Sequence, residues 1–260
     1  MNKDQRFLTK KWVALKMVKA LDIQQNDIII EIGGGYGIIS QFLTGKVFII
    51  EKDKRLAEFL KQKFKERIKK GEFEIIEGDF LNFPLPKEKY KIIGNIPYSL
   101  CGKIIRKIFN PLNPPTKAVI TLPEELAEKI LLKKIKPNFL AYFIEIFASA
   151  KKLFFINKKL FFPRPKVDSV AIEFDFHLNG LKKIGKENFE NFVIFLKQCF
   201  KSPHKTLKNN LKNFFDNAQL DKVFKKYFEK PNIRAHEIEL NKLIEIYQEL
   251  VRKNEDILQS

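Results

Sequence analysis

The sequence predicts a doubly wound α/β domain followed by a small all-helical one. Short β-rich runs alternate with charged helical runs through the first two-thirds of the chain, the pattern of a parallel sheet with crossover helices. The first of these runs leads into a glycine-rich turn, and the next three end at or lead into Glu51, Asp79 and Asn95. Beyond about Gly180 only helical periods remain.

The expected strands are Asp27 to Ile32, Lys46 to Glu51, Glu72 to Ile76, Tyr90 to Gly94 and Lys117 to Leu122. Between them, Asp53 to Lys69 places Leu56, Phe59, Leu60, Phe64 and Ile68 on one helical face with Lys and Glu opposite. Lys152 to Ile156 and Ser169 to Phe176 have a short connection and are expected to pair as an antiparallel hairpin at one sheet edge. These elements make residues 1–180 the first domain and residues 181–260 the helical one. In the latter, Phe189, Phe192, Phe195 and Leu196 share one face, and Leu240, Leu243, Ile244 and Tyr247 share another. Ser202-Pro203 reads as an N-cap followed by proline at the first helical position, so one helix ends near Lys201 and the next begins there.

Composition limits the partners. The chain has 260 residues, 45% of them apolar, which excludes disordered and collagen-like classes. Its net charge of +18 calls for a polyanion or an anionic surface to offset self-repulsion, with nucleic acid ahead of a membrane surface. From Asn191 to Asn213 there is no acidic residue, and Lys205, Lys208 and Lys212 follow a three-then-four spacing, a one-sided basic stripe suited to a phosphate backbone. With Cys101 and Cys199 as its only cysteines and three scattered histidines, the chain predicts neither a disulfide framework nor a metal site. Apolar stretches are broken well before the ~18 residues of a membrane span, so the sequence reads as a soluble, cytoplasmic protein without a membrane partner.

Glu31-Ile32-Gly33-Gly34-Gly35-Tyr36-Gly37 lets backbone approach a ligand at a helix N-terminus. Nicotinamide, flavin and S-adenosylmethionine sites all use such turns. An acid ending the second strand, Glu51, can accept hydrogen bonds from two ribose hydroxyls, and Asp79 could take an adenine amino group. Acids at the carboxyl edge of successive strands lie where open α/β sheets bind ligands.

Gly94-Asn95-Ile96-Pro97-Tyr98 resembles the adenine-N6 methyltransferases, and more closely the ribosomal RNA adenine dimethyltransferase family with its N-[IL]-P-Y signature. Phe161-Phe162-Pro163-Arg164-Pro165-Lys166-Val167-Asp168-Ser169 fits that family's F-x-P-x-P-K-V-D-S, and Lys205-Thr206-Leu207-Lys208-Asn209 resembles its K-T-L-[RK]-N. Gln5-Arg6-Phe7-Leu8 stands where the family has Q-N-F-L, with arginine replacing the asparagine expected at the methyl donor. Ser99 to Gly102 and Pro203-His204 also depart from the family pattern, on the target-facing loop and the RNA-facing tail.

The resemblance implies a Rossmann-like methyltransferase sheet using S-adenosyl-L-methionine as cofactor, held by Arg6, Leu8, Gly33, Glu51, Asp79 and Asn95. It implies that the Asn95 side-chain oxygen and the Ile96 carbonyl accept the two N6 hydrogens of adenine across the turn at Pro97. Tyr98 and Phe161 would clamp the extruded base while Phe162 is buried, and Lys166, Lys205, Lys208 and Lys212 would contact RNA. The implied partner is small-subunit ribosomal RNA in a pre-30S particle, dimethylated on two adjacent adenines near its 3′ end, with the enzyme a monomer. Two alternatives stand beside this: the macrolide-resistance type acting on 23S RNA, and a non-catalytic assembly or transcription factor on the same fold.

Overall fold

A computed structural model describes residues 5–131, 138–230 and 232–258. In chain order the strands are β1 (Phe7–Leu8), β2 (Ile28–Ile32), β3 (Lys46–Glu51), β4 (Phe73–Glu77), β5 (Tyr90–Asn95), β6 (Lys117–Pro123), β7 (Ala148–Ile156), β8 (Phe161–Phe162) and β9 (Ser169–Phe176). The helices are α1 (Lys11–Leu21), α2 (Lys54–Lys63), α3 (Lys65–Lys69), α4 (Cys101–Ile108), α5 (Glu124–Leu131), α6 (Phe139–Phe147), α7 (Asn179–Ile184), α8 (Phe189–Cys199), α9 (Leu207–Leu211), α10 (Asn217–Tyr227) and α11 (Leu240–Leu258).

Seven strands form one sheet in the order β4-β3-β2-β5-β6-β9-β7. Strands β2 to β6 run parallel, and β9 runs antiparallel to β6, with Thr121 opposite Ala171 and Pro123 opposite Ser169. The two runs expected at a sheet edge, β7 and β9, are neighbours there. Central strands are covered on both faces, which is why β2 carries isoleucines without alternation and buries Ile29 and Ile30 completely. Successive strands extend from β2 first toward β4 and then, from β5, the other way. The crevice at the carboxyl ends of β2 and β5 is therefore the topological switch point, where such sheets bind ligands.

Helix α1 packs through Val13, Ala14, Met17, Val18 and Leu21, a stripe at helical spacing. Helix α2 is capped by Asp53, whose Oδ1 accepts from the backbone N–H groups of Arg55 (3.0 Å) and Leu56 (3.3 Å). The apolar face expected from Asp53 to Lys69 is interrupted: the helix ends at Lys63, α3 starts at Lys65, and Phe59 is 41% exposed. Phe59 lies off the Leu56–Leu60 stripe and contacts Tyr36 edge-on.

The chain divides into two compact units, residues 1–131 with 149–177 and residues 132–148 with 178–260. The division expected at residue 180 thus leaves out one element, because α6 belongs to the helical unit. There Phe143 and Phe147 pack against Phe189, Gly180 sits tight against the backbone of Ile146, and the Tyr142 hydroxyl donates to the Ile238 carbonyl at 2.7 Å. The faces expected in α8 and α11 are buried as read.

The helix start expected at Ser202-Pro203 is displaced. Helix α8 ends at Cys199 and α9 begins at Leu207, with the Thr206 hydroxyl accepting from Asn209 N–H at 3.2 Å. The intervening residues turn instead: Lys205 N–H donates to the Ser202 carbonyl, and the buried Asn210 amide donates to the carbonyls of Cys199 (3.0 Å) and Ser202 (3.1 Å). Among the described residues no helix is long and apolar enough to cross a membrane.

Candidate active site

A cleft of about 380 Å³ opens at the switch point, within the size range of small-molecule sites. Its walls include Arg6, Phe7, Gly33, Glu51, Asp79, Asn95, Ile96, Pro97 and Tyr98, so most of the residues singled out from sequence meet in one place.

Gly33 follows β2 directly. Its φ of +73° favours glycine, and a Cβ there would meet nothing within 4 Å, so the turn leaves open space against the cleft. Glu51, 4% exposed, closes β3 and holds the next part of the turn: Oε2 accepts from Gly35 N–H and Oε1 from Asp53 N–H, both at 2.9 Å. Each oxygen keeps a second lone pair for a hydroxyl donor. Asp79 Oδ2 accepts from Lys52 Nζ at 2.8 Å and Oδ1 from Leu81 N–H at 2.9 Å. The Lys52 hydrogen bond, with that of Leu81, holds the Asp79 carboxyl below its usual range.

Asn95 ends β5 and its amide is fixed at both ends. Nδ2 donates to the Arg6 carbonyl at 2.6 Å, and Oδ1 accepts from Thr121 Oγ1 at 2.6 Å. Arg6 thus meets Asn95 through its backbone, which any residue at that position could supply, while its Nη1 donates to the Gln5 carbonyl. The Tyr98 hydroxyl is hydrogen-bonded to Ser169 Oγ, and burial is the main cause that raises its pKa. Cys101 is buried beside the turn, its Sγ 3.5 Å from the Pro97 carbonyl, and burial pushes its thiol up to about 12, unsuited to nucleophilic attack.

Two expected site residues do not reach the cleft. Leu8 and Phe161 pair across the β1–β8 ribbon and face the core, at 5% and 3% exposure. Strand alternation puts their neighbours Phe7 and Phe162 on the opposite side. Phe7 lines the cleft, and Phe162 is 66% exposed. The expected burial of Phe161 and Phe162 is therefore reversed, and Phe161 does not stand opposite Tyr98.

The expected basic stripe is also altered. Lys205 precedes α9 and Lys212 follows it, so the three lysines do not line one helix, and Lys208 is paired with Asp221 at 2.5 Å. Lys166, Lys205 and Lys212 are exposed. Thr121, Ser169 and Lys52, which hydrogen-bond to Asn95, Tyr98 and Asp79, were given no site role from sequence. Thr121 had one signal, a lone hydroxyl in the apolar run from Ala118 to Leu122.

Strand order, switch-point cleft and the Asn-Ile-Pro-Tyr turn define the class as an α/β methyltransferase of the S-adenosylmethionine-dependent kind. Residues 2–251 match the family described as ribosomal RNA adenine dimethylase. Ribosomal RNA small subunit methyltransferase A of Malacoplasma penetrans is 36% identical over 239 residues, covering 90% of this chain and 85% of that protein. Its namesake in Mesomycoplasma hyopneumoniae (strain 232) is 35% identical over 242 residues, covering 91% and 90%. A dimethyladenosine transferase from Plasmodium falciparum superposes with a TM-score of 0.78 at 23% identity, over 95% of this chain and 98% of that one. The 23S rRNA methyltransferase ErmE superposes at 0.75 and 18%, over 94% and 99%. At those identities the two superpositions establish the fold. The chain belongs to the ribosomal RNA adenine dimethylase family and is an rRNA adenine methyltransferase.

Proposed function

We propose that the protein dimethylates N6 of two adjacent adenines near the 3′ end of small-subunit ribosomal RNA, acting as a cytoplasmic monomer on an assembling particle. The observation that carries the reading is the Asn95 amide, fixed at the switch point in the same cleft as Gly33, Glu51 and Asp79. Small-subunit RNA is favoured because relatives 30–36% identical over most of their length carry that name.

These residues suit S-adenosylmethionine: open space at Gly33, a buried carboxylate with free lone pairs at Glu51, and a carboxylate at Asp79. When bound, that cofactor supplies a methyl group made labile by its sulfonium. The chain supplies position and electrostatics. The second lone pair of Asn95 Oδ1 and the Ile96 carbonyl accept the two N6 hydrogens of adenine, which concentrates the amine lone pair for attack. Tyr98 offers its ring to the extruded base, and Lys166, Lys205 and Lys212 offer charge to the phosphates.

Primer extension on 16S and 23S RNA from cells lacking the protein tests the substrate. Dimethyladenosine missing from 16S alone is the expected result, and loss from 23S alone would overturn the assignment. Asn95→Ala should abolish transfer while lowering S-adenosylhomocysteine affinity far less than Glu51→Ala does, since the other cofactor-facing residues remain. Near-normal turnover in that variant would defeat the mechanism.

A further inference from the structure

Thr121 lies directly opposite Asn95 in the parallel β5–β6 pair and is fully buried. Valine, equally branched, would serve the strand and the core as well. The hydroxyl is therefore not demanded by the fold, yet it is aimed at one atom, Asn95 Oδ1, 2.6 Å away. The opposite side of the same amide is held by the Arg6 carbonyl. The torsion that turns an asparagine amide is broad and nearly two-fold, so an unbraced amide can present nitrogen where oxygen is needed. Nitrogen there would set a donor against the donor hydrogens of an amine.

We propose that Thr121 is a positioning residue for methyl transfer. Its hydroxyl donates to one lone pair of Asn95 Oδ1 and, together with the Arg6 carbonyl, which can only accept and so keeps Nδ2 on its own side, holds Oδ1 in place with the second lone pair left for an N6 hydrogen. This rests on the reading of Asn95 as the group that receives the amine. Thr121 itself does not line the cleft and is not among the residues read as holding cofactor or RNA, so the loss should fall on turnover rather than binding.

The test compares full-length Thr121→Val, Thr121→Ser and Asn95→Ala. Methyl transfer to undermethylated small subunits gives kcat and KM, and calorimetry gives the dissociation constant of S-adenosylhomocysteine. Thr121→Val should lower kcat by about tenfold with KM and the dissociation constant within about twofold, and Thr121→Ser should recover most of the loss. If Thr121→Val does not fold, Thr121→Cys, similar in size with a weak donor, takes its place and should show the same kcat loss. Unchanged kcat in the hydroxyl-free variant, or equal loss in Thr121→Ser, would overturn the proposal. An inactive Asn95→Ala beside a normal Thr121→Val defeats this proposal alone. An active Asn95→Ala defeats the underlying reading as well.

Discussion

The hydroxyls of Tyr98 and Ser169 are hydrogen-bonded to each other, joining the turn after β5 to the first residue of β9. Ser169 is fully buried and sits opposite Pro123 at the end of β6, so the strand register fixes where the Tyr98 ring stands. This contact gives Asn-Ile-Pro-Tyr and the Lys166 to Ser169 segment, far apart in sequence, a shared physical purpose. An aromatic ring held this way has already given up its rotamer freedom before a base arrives.

Removing the ring should therefore cost more than removing the hydroxyl. Tyr98→Ala should lose about 1–3 kcal/mol in kcat/KM for RNA, the worth of one base–aromatic stack. Tyr98→Phe keeps the ring but leaves Ser169 without its partner, and should lower the melting temperature with a smaller kinetic loss. Equal activity in Tyr98→Ala and wild type would remove Tyr98 from the base site.

Glu51 ties the glycine turn to the start of α2 through two charge-assisted hydrogen bonds. Such bonds contribute about 1.5–3 kcal/mol each, and a ligand hydroxyl would use the same oxygens. Glu51→Ala should weaken S-adenosylhomocysteine binding by at least about tenfold in calorimetry. Glu51→Gln should recover part of this, since its oxygen can still accept from one of the two N–H groups. Unchanged affinity in Glu51→Ala would rule out this carboxylate as a cofactor ligand.

What the sequence revealed follows from which signals are local. The α/β alternation, the acids closing β3 and following β4, and Asn95 closing β5 all depend on short-range patterns, and each lies where the patterns place it. Leu8 and Phe161 were misplaced because side-chain direction in a two-residue strand depends on a partner about 150 residues away. The helix boundary at Ser202 was misplaced because Asn210, a residue of the following helix, holds the intervening turn. The assignment of α6 to the helical unit is likewise a tertiary fact, carried by Phe143 and Phe147 against Phe189.

Glu31, two residues before the glycine turn opens at Gly33, should make stability fall as pH rises. It is 1% exposed, and neither carboxyl oxygen has a hydrogen bond; Ser40 lies close enough to favour the charged form in part, but short of hydrogen-bond geometry. Burial, reinforced by the nearby Glu51 charge, pushes its pKa from 4.5 to about 8. The folded chain then holds a proton that the unfolded chain releases above about 4.5, so this contribution is complete below 4.5 and is lost as pH rises toward 8. Glu31→Gln lacks that proton. Its melting temperature relative to wild type should climb between pH 5 and pH 8.5 in scanning calorimetry, and a constant difference would show that Glu31 does not titrate in this window.

The lysines around α9 should not contribute equally to RNA binding. Lys208 is neutralised by Asp221, whereas Lys205 and Lys212 are exposed before and after the helix. Removing one lysine–phosphate interaction reduces the slope of log affinity against log salt by roughly 1. Lys205→Ala and Lys212→Ala should each show that reduction in filter binding to small-subunit RNA, with Lys208→Ala showing less. Asp221→Asn releases the Lys208 ammonium and should strengthen binding at low salt while steepening the slope. If Lys208→Ala instead weakened binding as much as the other two, Asp221 would have to give up its ion pair whenever RNA is bound, and Asp221→Asn would then strengthen binding while leaving the slope unchanged.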